Sequence, residues 1–183
     1  MQEEDVHYLK FSPKRLAVLE GSQNSTLKLL EKNLNVKIYV LGDGQVEIRG
    51  AAVDVFFSIP VLRAISRGFE PHVALKLKNE NYGFNLIDLK DYAKTKAQLV
   101  RLKGRIIGKK GKAKRILEQQ AECDIAVFGH TIGIIANLET LDVATNAIFK
   151  LIEGVPHSGV YLYLEKNKKW RREKEKLDNI KMV

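Results

Sequence analysis

One internal repeat constrains this chain more than any other feature. The segment "GSQNSTLKLLEKNLNVKIYVLGDG" (21–44) lies on "GKKGKAKRILEQQAECDIAVFGHT" (108–131) without a gap, at an offset of 87 residues. A repeat of this length has to be read as duplicated supersecondary structure before any single element is assigned. Thr26, Leu29, Leu30 and Leu34 fall on Ala113, Ile116, Leu117 and Ala121, a spacing that lines one helix face in both copies. Val36, Ile38 and Val40 match Cys123, Ile125 and Val127 and alternate as a half-buried strand does. "LGDGQ" and "FGHTIG" then read as hairpin turns. At the same offset Phe57, Val61, Ala64 and Ile65 match Ala144, Ile148, Leu151 and Ile152 in a last amphipathic helix. "RGFEPHVALKL" echoes "EGVPHSGVYLYL" once the offset slips by one.

Upstream of each glycine stands a strand candidate, "VHYLKF" (6–11) or "YGFNLIDL" (82–89), followed by a short helical stretch. The predicted order is strand, helix, helix, strand, strand, helix, twice over. No long crossover separates consecutive strands, so two small α+β modules are expected rather than one doubly wound sheet. The boundary is expected in the polar "KNEN" stretch, giving modules at 1–78 and 79–183. Pro60, inside the last helix of the first module, predicts a kink or a shortened helix.

The second copy carries the charge. From Arg101 to Arg115, eight of fifteen residues are basic and none is acidic. Residues 1–78 hold 11 basic and 9 acidic residues, the remainder 20 and 13, within a net charge of +9. This balance points to a polyanionic partner engaged by the second module. The single cysteine, Cys123, excludes an internal disulfide and a multi-cysteine metal site. The four histidines lack metal-ligand spacing, and neither a metal nor a cofactor is expected. No apolar run reaches the roughly 20 residues of a membrane span, and "MQEEDVHYLK" lacks the basic and apolar regions of a signal peptide. A soluble cytoplasmic protein without membrane contact is expected.

"GKKG" (108–111) joins two predicted helices, where glycines permit a tight turn and close approach of a ligand. The amides and dipole of the following helix start favour an anion, and the surrounding lysines make phosphate the natural one. A nucleotide P-loop is excluded because Gly104 has Lys109 five residues on, and neither loop glycine precedes Lys-Ser or Lys-Thr. No GxGxxG occurs. The remaining readings are a solvated basic turn, which a bare GxxG often is, and the GxxG loop of a KH module, which clamps about four nucleotides of a single strand by its backbone; the preceding helix and the following helix, strand and hairpin, present twice, favour the second.

"LKGRIIGKKGKAKRILE" together with "EGVPHSGVYLYLEK" resembles the archaeal branch of the partner-of-Nob family, KH-repeat factors of small-ribosomal-subunit assembly, and is similar to the sister KRR-type family. Lys114, three residues beyond the second glycine, stands where KH modules usually carry isoleucine, as in that family. The first loop, "GSQN" (21–24), has Asn24 in place of the second glycine, and the family's first module is likewise degenerate. The resemblance implies two tandem type I KH modules with a basic C-terminal helix. It implies a non-catalytic RNA-binding protein that holds the 3′ end of small-subunit (16S) rRNA during pre-rRNA processing. The implied partners are a Nob-type endonuclease, the pre-small ribosomal subunit and the alpha subunit of initiation factor two.

The expected RNA-binding residues are Gly108, Lys109, Lys110 and Gly111 in the loop, with Arg101, Arg105, Lys112, Lys114 and Arg115 as an electropositive rim. Ile107 and Ile125 are the apolar candidates, each with core packing as its competitor, and Val127 is the alternative to Ile125. Lys14, Arg15 and Lys28 could extend the track in the first module, where Asn24 makes a tight clamp less favourable. The end of the chain reads either as a helix capped by Ser158, with Val160, Leu164 and Tyr161 packing inward, or as a solvated tail. Trp170, Arg171 and Arg172 are further candidates for contact with RNA. The rival classes are an enzyme, for which Asp43, Glu47 and Asp54 are the available acids, and a protein-interaction scaffold or translation-associated factor whose RNA contact is non-specific.

Overall fold

The computed structural model describes residues 4–181, with side chains through Leu177; Met1–Glu3 of the polar N-terminal stretch lie outside the described residues. The chain divides into two compact units between Phe84 and Asn85. The first unit runs β1 (Glu4–Lys10), α1 (Pro13–Glu20), α2 (Ser25–Leu34), β2 (Lys37–Val40), β3 (Gln45–Ala51), α3 (Ala52–Ser66) and the single turn α4 (Pro71–Ala74). Its antiparallel sheet has the order β1-β3-β2, with Tyr8 and Tyr39 flanking Glu47. Val46 and Ile48 of β3 are fully buried, as are Leu19, Leu30, Leu62 and Ile65 of the helices, and Glu47 between them is buried too.

β4 (Tyr82–Asp88) crosses this division and leads into the second unit, α5 (Lys96–Ile107), α6 (Lys112–Ala121), β5 (Cys123–Phe128), β6 (Thr131–Asn137), α7 (Leu138–Ile152) and α8 (His157–Lys181), with sheet order β4-β6-β5. A capping box starts α5: Thr95 Oγ1 accepts from the Gln98 amide, and Gln98 Oε1 accepts from the Thr95 amide, both at 3.2 Å. The Asn137 side chain caps α7 by accepting from the Glu139 amide at 3.0 Å. Ile106, Leu117, Ile132, Ile134, Ile148 and Leu151 form the core, which Val160 and Leu164 of α8 close from outside. Tyr161 packs partly buried against it, so the C-terminal segment is a docked helix.

The predicted element order is present in both units, with four departures. Matching the bounds of α3 and α7 requires an offset of 86, not 87. The step falls in the hairpin, where five residues separate the paired Val40 and Val46 but four separate Val127 and Ile132. Phe57 therefore corresponds to Val143, and like Leu29 it is about half exposed rather than core. Pro60 does not shorten α3, which keeps the 15 residues of α7. The hydrogen bond that Pro60 cannot donate is offset by full burial of Val61, Leu62, Ala64 and Ile65 just beyond it. Ser158 is not the cap of α8, because the helix has already begun at His157 after Pro156. Among the described residues, no helix is long and apolar enough to cross a membrane.

Candidate nucleic-acid interface

The two glycines of the basic loop serve different ends. Gly108 ends α5 with φ 71° and ψ 177°, and a Cβ there would lie 2.6 Å from Ala113 Cβ and 2.8 Å from its amide nitrogen. Only glycine lets the incoming chain pass this close to the first turn of α6. Gly111 has φ 75° and ψ 11°, yet a Cβ there would meet nothing within 4 Å. Its requirement is left-handed backbone, and the space around it is open. Lys110 between them is also left-handed, with φ 52° and ψ 32°. The loop thus delivers the chain directly into the N-terminus of α6, with the Gly111 amide donating to the Gly108 carbonyl at 3.2 Å and the Lys112 amide to that of Lys109, and the positive end of the helix dipole lies at this turn.

Lys109, Lys110, Lys112, Arg115 and Arg101 are exposed around the loop. Lys114 is half-buried and paired with Glu118 at 2.7 Å, and the same carboxylate oxygen accepts the Ile125 amide at 2.9 Å. Its charge is therefore partly spent within the unit. Ile107 is half-buried next to the loop, whereas Ile106 is fully buried. Ile125 is 4% exposed and belongs to the core, so it offers no apolar floor to a ligand; Val127 is partly buried against the same core.

Arg105 also departs from expectation. Its guanidinium turns away from the rim and donates to the carbonyls of Leu151 at 3.0 Å and Val155 at 2.8 Å, capping the end of α7. His157 Nε2 in turn lies 2.8 Å from the Arg105 carbonyl. The first unit repeats the arrangement: Arg15 donates to the Ile65 carbonyl at 2.7 Å and to that of Phe69, 86 positions before Leu151 and Val155. Arg15 is buried in doing so and is not part of a surface track. Burial holds its guanidinium below the usual arginine range, with Glu70 opposing that effect. Sequence inspection missed this pair, because an arginine in a basic run carries no mark of which way it points.

The first-unit loop follows almost the same backbone path. Gly21 has φ 67° and ψ −172°, Gln23 φ 52° and ψ 38°, and Asn24 φ 59° and ψ 25°. A Cβ on Gly21 would strike Thr26, the counterpart of Ala113. Asn24 adopts the left-handed conformation of Gly111, so what the first loop lacks is charge rather than shape.

At the far end of α6, Glu122 receives Lys168 at 2.9 Å and also Arg171, both from α8. Lys168 foremost, then Arg171, hold its carboxyl below the usual range. Arg171 is thereby engaged within the unit. Trp170 is 63% exposed, and Lys174 Nζ stands 5.6 Å from its ring centroid, which occupies one ring face.

A strand leading into two helices joined by a glycine-bounded basic loop, then a hairpin and a third helix, is the arrangement of a KH domain. Residues 83–169 match the eukaryotic type KH-domain (KH-domain type I), so the second unit is of this class. A KH domain-containing protein of Methanocaldococcus jannaschii is 36% identical over 91% of this chain and 76% of its own length. The RNA-binding protein pno-1 of Caenorhabditis briggsae is 32% identical over 71% of this chain and half of its own length. The crystal structure of an a/eIF2alpha-aDim2p-rRNA complex from Pyrococcus horikoshii OT3 contains a chain 36% identical to this one, with a TM-score of 0.83 over 91% of this chain and 95% of that one. The chain belongs to the partner-of-Nob (PNO1-type) family of KH-domain proteins.

Proposed function

We propose that this protein is a non-catalytic, single-stranded-RNA-binding KH-repeat factor of ribosome biogenesis. It acts in the cytoplasm and holds the 3′ end of small-subunit rRNA during pre-rRNA processing. The observation that carries this reading is the loop Gly108–Gly111: two left-handed glycines, an open approach at Gly111 and exposed Lys109 and Lys110 in front of the α6 N-terminus. Backbone amides there take phosphates, and the lysines add salt-dependent affinity without sequence choice. The family relation, the name of the nematode relative and the rRNA in the Pyrococcus complex support it.

The first unit is a second KH module, degenerate in its loop, whose element order and backbone path match those of the second unit while its charge does not. The partners are small-subunit rRNA within the pre-small subunit, the alpha subunit of initiation factor two, and a Nob-type endonuclease that supplies the cleavage. An rRNA and the initiation-factor subunit follow the composition of the Pyrococcus complex, whereas the small-subunit assignment, the pre-small subunit and the endonuclease follow from the family.

The test is binding to a short single strand copying the small-subunit rRNA 3′ end and to a scrambled strand, at two salt concentrations. Preference for the 3′-end strand that persists at higher salt is expected. Equal and steeply salt-dependent binding to both would leave only a basic surface. With labelled RNA and magnesium the purified protein should produce no cleavage, and cleavage tracking with the protein would overturn the non-catalytic reading.

A further inference from the structure

The two units share one element order, so their differences can be read position by position. In the second unit, α8 covers the groove between the end of α6 and the first half of α7. Val160 and Leu164 of α8 are buried in the core of the unit, Leu164 at this groove, and one and two turns beyond Leu164 Lys168 and Arg171 reach Glu122. Ala121, Thr140 and Val143 line one side of this groove and Leu164 and Asn167 the other. The corresponding positions of the first unit, Leu34, Asp54 and Phe57, also line a groove.

No long helix fills it. After α4 a 3₁₀ turn ends at Lys78, and Lys78–Glu80 form only a rim before β4 begins. Along the same stripe of α3, Val53, Phe56 and Phe57 are 65%, 69% and 52% exposed. Phe56 and Phe57 stack edge to face with centroids 5.5 Å apart. The second unit places Glu139 and Asp142 at the positions of Val53 and Phe56. Where the covered repeat is acidic toward water, the uncovered one is apolar, which marks an interaction surface.

We propose that the α2–α3 groove of the first unit receives an amphipathic helix from a partner protein. The internal copy supplies the template for that helix: an apolar pair at i and i+4, set against Phe57 and Val53, followed one or two turns on by lysine or arginine. Asp54, hydrogen-bonded to Asn35 at 2.6 Å where the second unit has Glu122, receives the cation, with Glu80 nearby. Two carboxylates against Lys78 alone disfavour a nucleic-acid backbone in this groove. A second copy's α8 is also excluded, since its apolar face is already buried in its own unit. This inference does not rest on the RNA-binding reading of the second unit.

The experiment places a benzophenone amino acid at position 57 of the full chain in its native host and maps the photocrosslinked peptides. The expected product is a helical protein segment with the stated pattern. A synthetic peptide of that segment should bind the purified chain and lose at least about tenfold in affinity with Phe56→Glu/Phe57→Glu. Gly111→Asp should leave peptide binding unchanged, and the phenylalanine pair should leave RNA binding unchanged. Melting temperature and circular dichroism check that the pair still folds, and Val53→Glu substitutes if it does not. Crosslinks to RNA, to a second copy or to a segment without this pattern, no protein crosslink at all, or peptide affinity indifferent to these variants, would each overturn the proposal.

Discussion

Gly108 and Gly111 look alike in sequence but fail differently when replaced. Gly108→Ala forces a Cβ against Ala113 and adds left-handed strain, so it should destabilise the second unit by about 1–3 kcal/mol, read by chemical denaturation. Arg105 separates structure from binding in the same way. Arg105→Ala removes both hydrogen bonds to the end of α7, and a loss of about 2–3 kcal/mol in unfolding free energy is expected, with the salt dependence of RNA binding unchanged. Lys109→Ala/Lys110→Ala should do the reverse, keeping stability while flattening the plot of log affinity against log salt by about 1.4 for two lost single-strand phosphate contacts. A flattened slope for Arg105→Ala would return that residue to the RNA-binding rim. The loop's place between two helices was legible because the helix, strand and hairpin that follow it recur in both copies; the GxxG spacing alone, common in surface turns, would not have marked it. The inward turn of Arg105 and the pairing of Lys114 with Glu118 were not legible, since each depends on a carbonyl or carboxylate brought near by the fold.

Among the elements, the duplicated order could be read because apolar periods of 3.6 and 2 recur in both copies. The one-residue difference between hairpins stayed hidden because an offset of 87 also set apolar against apolar in the last helix. The structural match of α3 to α7 makes Phe57 the counterpart of Val143, and the exposure of Phe57 becomes intelligible once α8 is seen to have no long counterpart in the first unit. The helix α8 completes the second core, so Leu164→Ala should cost about 2–5 kcal/mol in denaturant unfolding. Glu122 holds α8 through Lys168 and Arg171. Because its folded pKa is depressed, the stabilisation is present above the unfolded value of about 4.3 and is lost as pH falls through the folded one. Glu122→Gln should therefore melt below wild type at neutral pH, and the gap should close as pH falls below the ordinary glutamate range and through the depressed folded value. A gap independent of pH would show that the ion pairs do not secure the helix.

At the scale of the whole molecule, one backbone plan carries two surfaces of different chemistry. The second unit concentrates exposed lysines at an open glycine loop. The first keeps the loop path without the charge and exposes phenylalanines where its twin is covered by a helix. The two proposals place RNA and protein on different units, and under them loss of one binding activity should leave the other intact. The most direct test of the RNA assignment is the affinity of wild type and Gly111→Asp for the rRNA 3′-end strand, with melting curves to confirm that both fold. A side chain at position 111 meets open space, and aspartate tolerates left-handed backbone better than most residues, so the variant should fold with a modest loss of stability yet lose at least about tenfold in affinity through a negative charge at the phosphate site. A folded variant that binds within about twofold of wild type would contradict the assignment of this loop as the RNA clamp.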